Sequence, residues 1–152
     1  MLTNKGKYGL KAMVHLARVP LTEVAQVGEV AQANGIPKKF LDQIFSELRK
    51  AGLVHSKKGK AGGYALAKFP ESISVGQIIR VLDGPLAPIQ CSSVTAYRPC
   101  GDCGDEESCP VRLIMVEARN ALSAVLDSRS LAELCAMSGA HELEDSGIGR
   151  AY

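Results

Sequence analysis

Long hydrophobic runs are missing from this 152-residue chain. No stretch of eighteen or more apolar residues occurs, so a membrane-spanning helix is not expected. The opening residues, MLTNKGKYGL, lack the hydrophobic stretch of a signal peptide, and a soluble, cytoplasmic protein with no membrane partner is expected. Also missing is any local signature of catalysis, whether a nucleophile with its base or an open metal site with a general base, so no enzyme is expected. Histidine is sparse: His15, His55 and His141 are dispersed, without ligand-like neighbours in sequence. With 46% hydrophobic residues the chain can fill one compact core but hardly two. One domain with an appendage follows.

What is present is a lopsided charge. Up to Pro70, twelve Lys and Arg stand against four Asp and Glu, a balance of +8; beyond it six stand against twelve, a balance of −6. Clustered Lys and Arg gain affinity for a polyanion by releasing counterions from phosphates, so the first half suits nucleic acid. The plain alternative is a solvated basic face.

Helical spacing supports the first reading. Leu10, Met13, Val14 and Ala17 place an amphipathic helix over Lys7 to Arg18, and a shorter one spans Val27 to Asn34. Gly35 supplies a turn, and Pro37 opens a helix to about Ala51 with Leu41, Ile44, Phe45 and Leu48 on one face. Ala31, Gly35, Leu41 and Ile44 have the spacing of a helix-turn-helix: a small residue at the helix contact, glycine in the turn, and apolar anchors on the second helix. Next, LVHS and GYAL flank KKGKAG, which predicts a β-hairpin with a basic, glycine-rich tip. A hairpin directly after a recognition helix is the wing of a winged helix. On this reading Lys38, Lys39, Phe40 and Gln43 of the recognition helix and Lys57, Lys58, Lys60 and Gly62 of the wing meet double-stranded DNA. Gln43 is the candidate base reader, because its amide can pair bidentately with adenine, while the lysines hold phosphates.

The second half starts with a short helix, Ile73 to Leu82, ended by Asp83-Gly84-Pro85. Then comes CSSVTAYRPCGDCGDEESC, which holds four of the five cysteines: Cys91, Cys100, Cys103 and Cys109. Clustered thiols in a reducing compartment bind metal or sense redox state more often than they form structural disulfides. Asp102, Asp105, Glu106 and Glu107 are expected to keep this loop hydrated and mobile. Pro110 opens a long helix to about Asp127 in which Val111, Ile114, Ala118, Ala121 and Val125 repeat in a heptad and Met115, Leu122 and Leu126 form a neighbouring stripe. Burying one stripe on the chain's own domain and the heptad stripe on a second subunit predicts a homodimer, which would read a palindromic operator with paired helices. Cys135 falls on a short terminal helix, as a packed residue, before a polar tail from Ser138.

The fold class is therefore mainly α with a small β wing: a winged helix-turn-helix domain over 1–84, a cysteine-rich loop over 85–110, a dimerisation helix with a short terminal helix over 111–137, and a flexible tail over 138–152. The stretches LTNKGKYGLKAMVHLA, GIPKKFLDQIFSELRKAGLV, KGKAGGYALAK and ISVGQIIRVLDG, with the cysteine loop leading into a long helix, together resemble the Rrf2 family of winged-helix transcription regulators. The resemblance implies a homodimer whose loop cysteines hold an iron–sulfur cluster that controls promoter binding. Such members use three cysteines and a fourth ligand, and Cys91, Cys103 and Cys109 match the three positions. Where one branch has a histidine three residues after its last cysteine, this chain has Arg112, which cannot be a ligand. Where another uses an acidic residue on the first helix, it has Lys7. Cys100 can take the fourth place, because Cys100-Gly-Asp-Cys103 can bring two thiolates onto one centre. Four thiolates satisfy a 2Fe–2S or a 4Fe–4S cluster, and equally a tetrahedral zinc. A thiol switch, or control by a partner enzyme without metal, stays open.

Overall fold

The computed structural model describes the backbone of residues 2–145 and the side chains of residues 2–139. Its order is α1 (Asn4–Ala17), α2 (Val27–Asn34), α3 (Lys38–Lys50), β1 (Val54–Lys57), β2 (Gly63–Leu66), α4 (Val75–Asp83), α5 (Pro110–Ser128) and α6 (Leu131–Asp145), with 3-10 turns at Pro70–Ser72 and Gln90–Ser92. No described helix is long and apolar enough to cross a membrane.

Helix α1 starts earlier than its apolar spacing predicts because Thr3 caps it, accepting from the Gly6 amide at 3.2 Å. Thr3 is itself fixed by Asp83 at the end of α4, which accepts from its amide at 2.9 Å and from its hydroxyl. Helix α2 has the expected bounds. Its last turn closes through Gly35, whose φ of 62° lies in the left-handed region that a glycine adopts without penalty. Pro37 stands at the N-cap of α3, in extended conformation, and not inside the helix.

Strands β1 and β2 pair antiparallel, Val54 with Leu66 and Lys57 with Gly63. Ala25 joins them by exchanging 2.9 Å hydrogen bonds with Tyr64. The core lies where these elements meet: Met13 of α1, Val30 of α2, Leu41, Ile44, Phe45 and Leu48 of α3, Ile78 of α4 and Leu131 of α6 are fully buried. Removing each such side chain from water contributes about 1.5–3 kcal/mol.

The back of the molecule is built differently. No residue of α5 is buried, and Val111, Ile114 and Val125 are 57%, 54% and 60% exposed. The stripe expected on the chain's own domain is only partly there: Met115 and Leu126 are half-buried, but Leu122 is exposed. Polar contacts hold the helix instead. Arg80 of α4 makes two hydrogen bonds to Asp127, at 2.6 and 2.8 Å, and holds its carboxyl below the usual carboxylate range. At the far end of α5, Val75 donates to the Arg129 carbonyl at 2.9 Å and Leu131 to the Ile73 carbonyl at 2.8 Å.

Helix α6 runs past Met137, where the sequence suggested that a short helix ends, to Asp145. Packing explains this. Leu131 is fully buried, the Cys135 thiol lies 3.7 Å from the Val14 carbonyl, and Arg18 donates to Ser138 at 2.7 Å, so α1 templates the helix through Ser138. The flexible tail expected from Ser138 is therefore helical to Asp145; the side chain of His141 and all of residues 146–152 lie outside the described residues.

Candidate functional site

Two places carry chemistry. The first is the open groove between α3 and the wing, about 480 Å³, lined by Lys38, Lys57, Lys58, Lys60 and Gly62. All four lysines are exposed, as are Lys39, Phe40 and Gln43. Phe40 packs edge-on against Tyr8 of α1, their ring centroids 6.2 Å apart. Phe45, on the buried face of α3, stacks on Tyr64 of β2 at 4.5 Å and fixes the wing relative to the helix. Gly62 serves the wing's shape: a Cβ there would come within 2.2 Å of the Lys57 carbonyl, and its amide donates to Gly59 at 3.0 Å.

Several residues of this groove are absent from the sequence reading. Gln26 reaches the Lys60 carbonyl at 3.5 Å, and Arg49 donates to the Ser56 hydroxyl at 3.3 Å, so both brace the wing against the helices. Asp42 also lines the groove, an acidic group among cations. Glu47 accepts from Gln43 and from Lys5 of α1. Gln26 and Arg49 act through partners on another element, which no local spacing rule finds, whereas the Gln43–Glu47 pair, four positions apart on one helix, lay within reach of helical spacing.

The second place is the cysteine loop. Cys91 is buried in the 3-10 turn Gln90–Ser92, and Cys100, Cys103 and Cys109 are half-buried. The sulfurs of Cys103 and Cys109 stand 3.9 Å apart. Two thiolates on one tetrahedral centre with bonds of about 2.3 Å would be separated by about 3.8 Å. This pair therefore fits a metal centre as it stands. Cys100 contacts Cys103 but hydrogen-bonds to Asp102 at 2.7 Å, and among the described residues no three His, Cys, Asp or Glu groups close on one point. The donor chemistry fits a cluster or zinc; holding it requires Cys91 and Cys100 to turn toward the close pair.

The two close thiols are unlike. Hydrogen bonds to Cys100 and Cys109 push the Cys103 thiol up to about 12. Cys109 stands at the N-cap position of α5 without a side-chain capping bond, and the nearby backbone amides of Arg112 and Val111 lower its pKa. Arg112 has a further role: its Nε donates to the Cys91 carbonyl at 3.0 Å, and Arg119 donates to that of Ser92. Two arginines of α5 thus grip the turn that carries Cys91.

The acidic residues do not leave the loop free, as the sequence suggested. Glu106 accepts from the Tyr97 hydroxyl and from the Cys100 amide, and Asp105 from the Glu107 amide at 3.0 Å and the Ser108 hydroxyl at 2.5 Å. These bonds hold both carboxyls below their ordinary values. Short acidic side chains among free backbone amides close local turns, and charge repulsion does not outweigh that.

Over residues 2–137 the chain matches the Rrf2 family, described as iron-dependent transcriptional regulator. It is 41% identical over 139 residues to an rrf2-like HTH-type transcriptional regulator of Rhodobacter capsulatus, covering 90% of this chain and 93% of the relative. Two solved structures share the architecture. CymR, the global cysteine regulator of Bacillus subtilis, is 34% identical with a TM-score of 0.73, the match covering 90% of this chain and 97% of CymR. IscR of T. potens is 29% identical with a TM-score of 0.70, covering all of this chain and 94% of that one.

Proposed function

The chain belongs to the Rrf2 family of transcriptional regulators, and from that premise we propose that it binds operator DNA as a homodimer under the control of an iron–sulfur cluster on Cys91, Cys100, Cys103 and Cys109. It is a regulator and not an enzyme. The observation that carries the proposal is the position of the thiols. They occupy the connection between the winged helix and α5, and their close pair sits at the α5 N-terminus. When bound, a cluster would cross-link four thiolates and report iron, cluster supply, nitric oxide or redox state. The chain's own residues do the rest. Arg112 orients the Cys91 turn, Glu106 anchors the backbone at Cys100, and the α5 amides favour the Cys109 thiolate. A few kcal/mol of differential stabilisation at this junction is enough to shift the DNA-competent population.

The exposed heptad stripe of α5 supports the homodimer, and the basic groove supports double-stranded DNA with a palindromic operator. A second reading has its own support: the Cys103 and Cys109 thiols lie in contact with each other, as a redox pair requires, and the structural relatives include a cysteine regulator. On that reading the loop is a thiol switch, a structural zinc site or a surface for a controlling enzyme. Protein purified without oxygen separates them. Brown protein with iron and sulfide supports the cluster, colourless protein with zinc supports the structural site, and metal-free protein supports the switch or partner. Cys100→Ala should lose the visible spectrum or make it labile, and operator binding should then follow the apo protein. If this variant keeps the native spectrum and iron content, Cys100 is not the fourth ligand.

A further inference from the structure

Gln43 is exposed on α3 but it is not free. Its Nε2 donates to Glu47 Oε1, one helical turn on, at 3.1 Å. Glu47 is in turn held from α1, where Lys5 Nζ donates to both carboxylate oxygens at 3.1 and 2.9 Å. The ion pair is partly shielded, its side chains 29% and 28% exposed.

The chemistry of an amide gives this chain of contacts a meaning. A free glutamine amide flips readily between two states that present its oxygen and nitrogen in opposite order. Only one order matches the major-groove edge of adenine, which offers a donor at N6 and an acceptor at N7. An ionised carboxylate only accepts. Glu47 can therefore engage only the nitrogen end of the Gln43 amide, and the flipped state would set oxygen against oxygen. One Nε2 hydrogen is spent on Glu47; Oε1 and the other hydrogen remain to face a base. Lys5 balances the carboxylate, which otherwise would repel nearby phosphates.

We propose that Glu47, clamped by Lys5, is a positioning residue that fixes the Gln43 amide in the single orientation that reads adenine. This rests on α3 being the base-reading helix. Fixing the amide before contact removes an ordering cost and excludes the order that would suit other bases.

The full-length protein is equilibrated with a pool of random-sequence duplexes, and the bound sequences are read for the native chain, Gln43→Ala, Glu47→Ala, Glu47→Gln, Lys5→Ala and the Gln43→Ala/Glu47→Ala pair. The native chain should prefer adenine at one position of each half-site. Gln43→Ala and Glu47→Ala should each relax that preference roughly tenfold. The double variant should relax it no further, because both act through one contact. Glu47→Gln keeps an acceptor and should restore part of the preference, and Lys5→Ala should lose part of it. The salt dependence of total affinity should hold in Glu47→Gln, which shows that the phosphate contacts and the fold survive. If Gln43→Ala relaxes the preference while Glu47→Ala leaves it intact, Glu47 positions nothing and the proposal fails alone. If Gln43→Ala changes no position at all, α3 does not read bases through this residue and both the proposal and the reading beneath it fail.

Discussion

In α3 four apolar side chains are buried and the opposite face is exposed, carrying Lys38, Lys39, Asp42 and Gln43; in α5, six residues longer, no side chain is buried at all. The first helix is complete within one chain. Its apolar face is covered by α1, α2 and α4, and only the groove face is left to meet something else. The second is held to its own domain mainly by arginine contacts, while Val111, Ile114 and Val125 face outward. The contrast separates two kinds of stability. A packed core depends on this chain alone; on the function proposed above, the α5 region would depend on what is added to it, a second copy along the helix and a metal at its start.

The largest effect should come from the packed half. Phe45→Ala removes a fully buried ring stacked on Tyr64 and should cost about 3–5 kcal/mol, read by denaturant unfolding. Val125→Ala, at a 60% exposed site, should cost almost nothing in the monomer; a loss comparable to that at Phe45 would remove the contrast. Next comes assembly. Ala121→Glu should leave the fold intact but give monomers by sedimentation, since an unpaired charge in an apolar interface is strongly unfavourable. A dimer of unchanged stability would show that α5 pairs elsewhere. On the groove, Lys58→Ala with Lys60→Ala should lower the salt slope of DNA binding by about 0.9 for each phosphate that is no longer neutralised.

Much of this was legible because it is local. The bounds of α2, the hairpin and the amphipathic face of α3 follow from glycine, lysine and apolar spacing within a few residues. What escaped depends on distant partners. The first turn of α1 needs Thr3 and Asp83, eighty positions apart. The last turns of α6 follow a template on α1. Arg112 could be excluded as a ligand from its chemistry, but its grip on the Cys91 carbonyl required the fold. The four cysteines were visible at once, whereas the closeness of Cys103 and Cys109 depends on turns closed by Asp105 and Glu106.

The smallest predicted effect concerns the tie between the two regions. Arg80 lowers the pKa of Asp127, so the folded-state value lies below the unfolded one. The pair's contribution is therefore full above the unfolded value of about 3.9 and is lost as pH falls through the lower folded value. Both side chains are more than a third exposed, which limits the contribution to about 0.2–1 kcal/mol. Asp127→Asn should remove it at neutral pH and flatten the acid limb of the stability curve by the same amount. An unchanged acid limb would mean that the pair ties nothing together.

The backbone bonds of Val75 and Leu131 across the α5–α6 junction have a mechanical consequence. They make one end of α5 a pivot, while Cys109 occupies the other end of a rod of nineteen residues, about 28 Å long. A shift of about 2 Å at the cysteine end is then a swing of about 4° at the pivot. Two such rods crossed in a dimer would turn their DNA-reading heads through the sum of the two arcs.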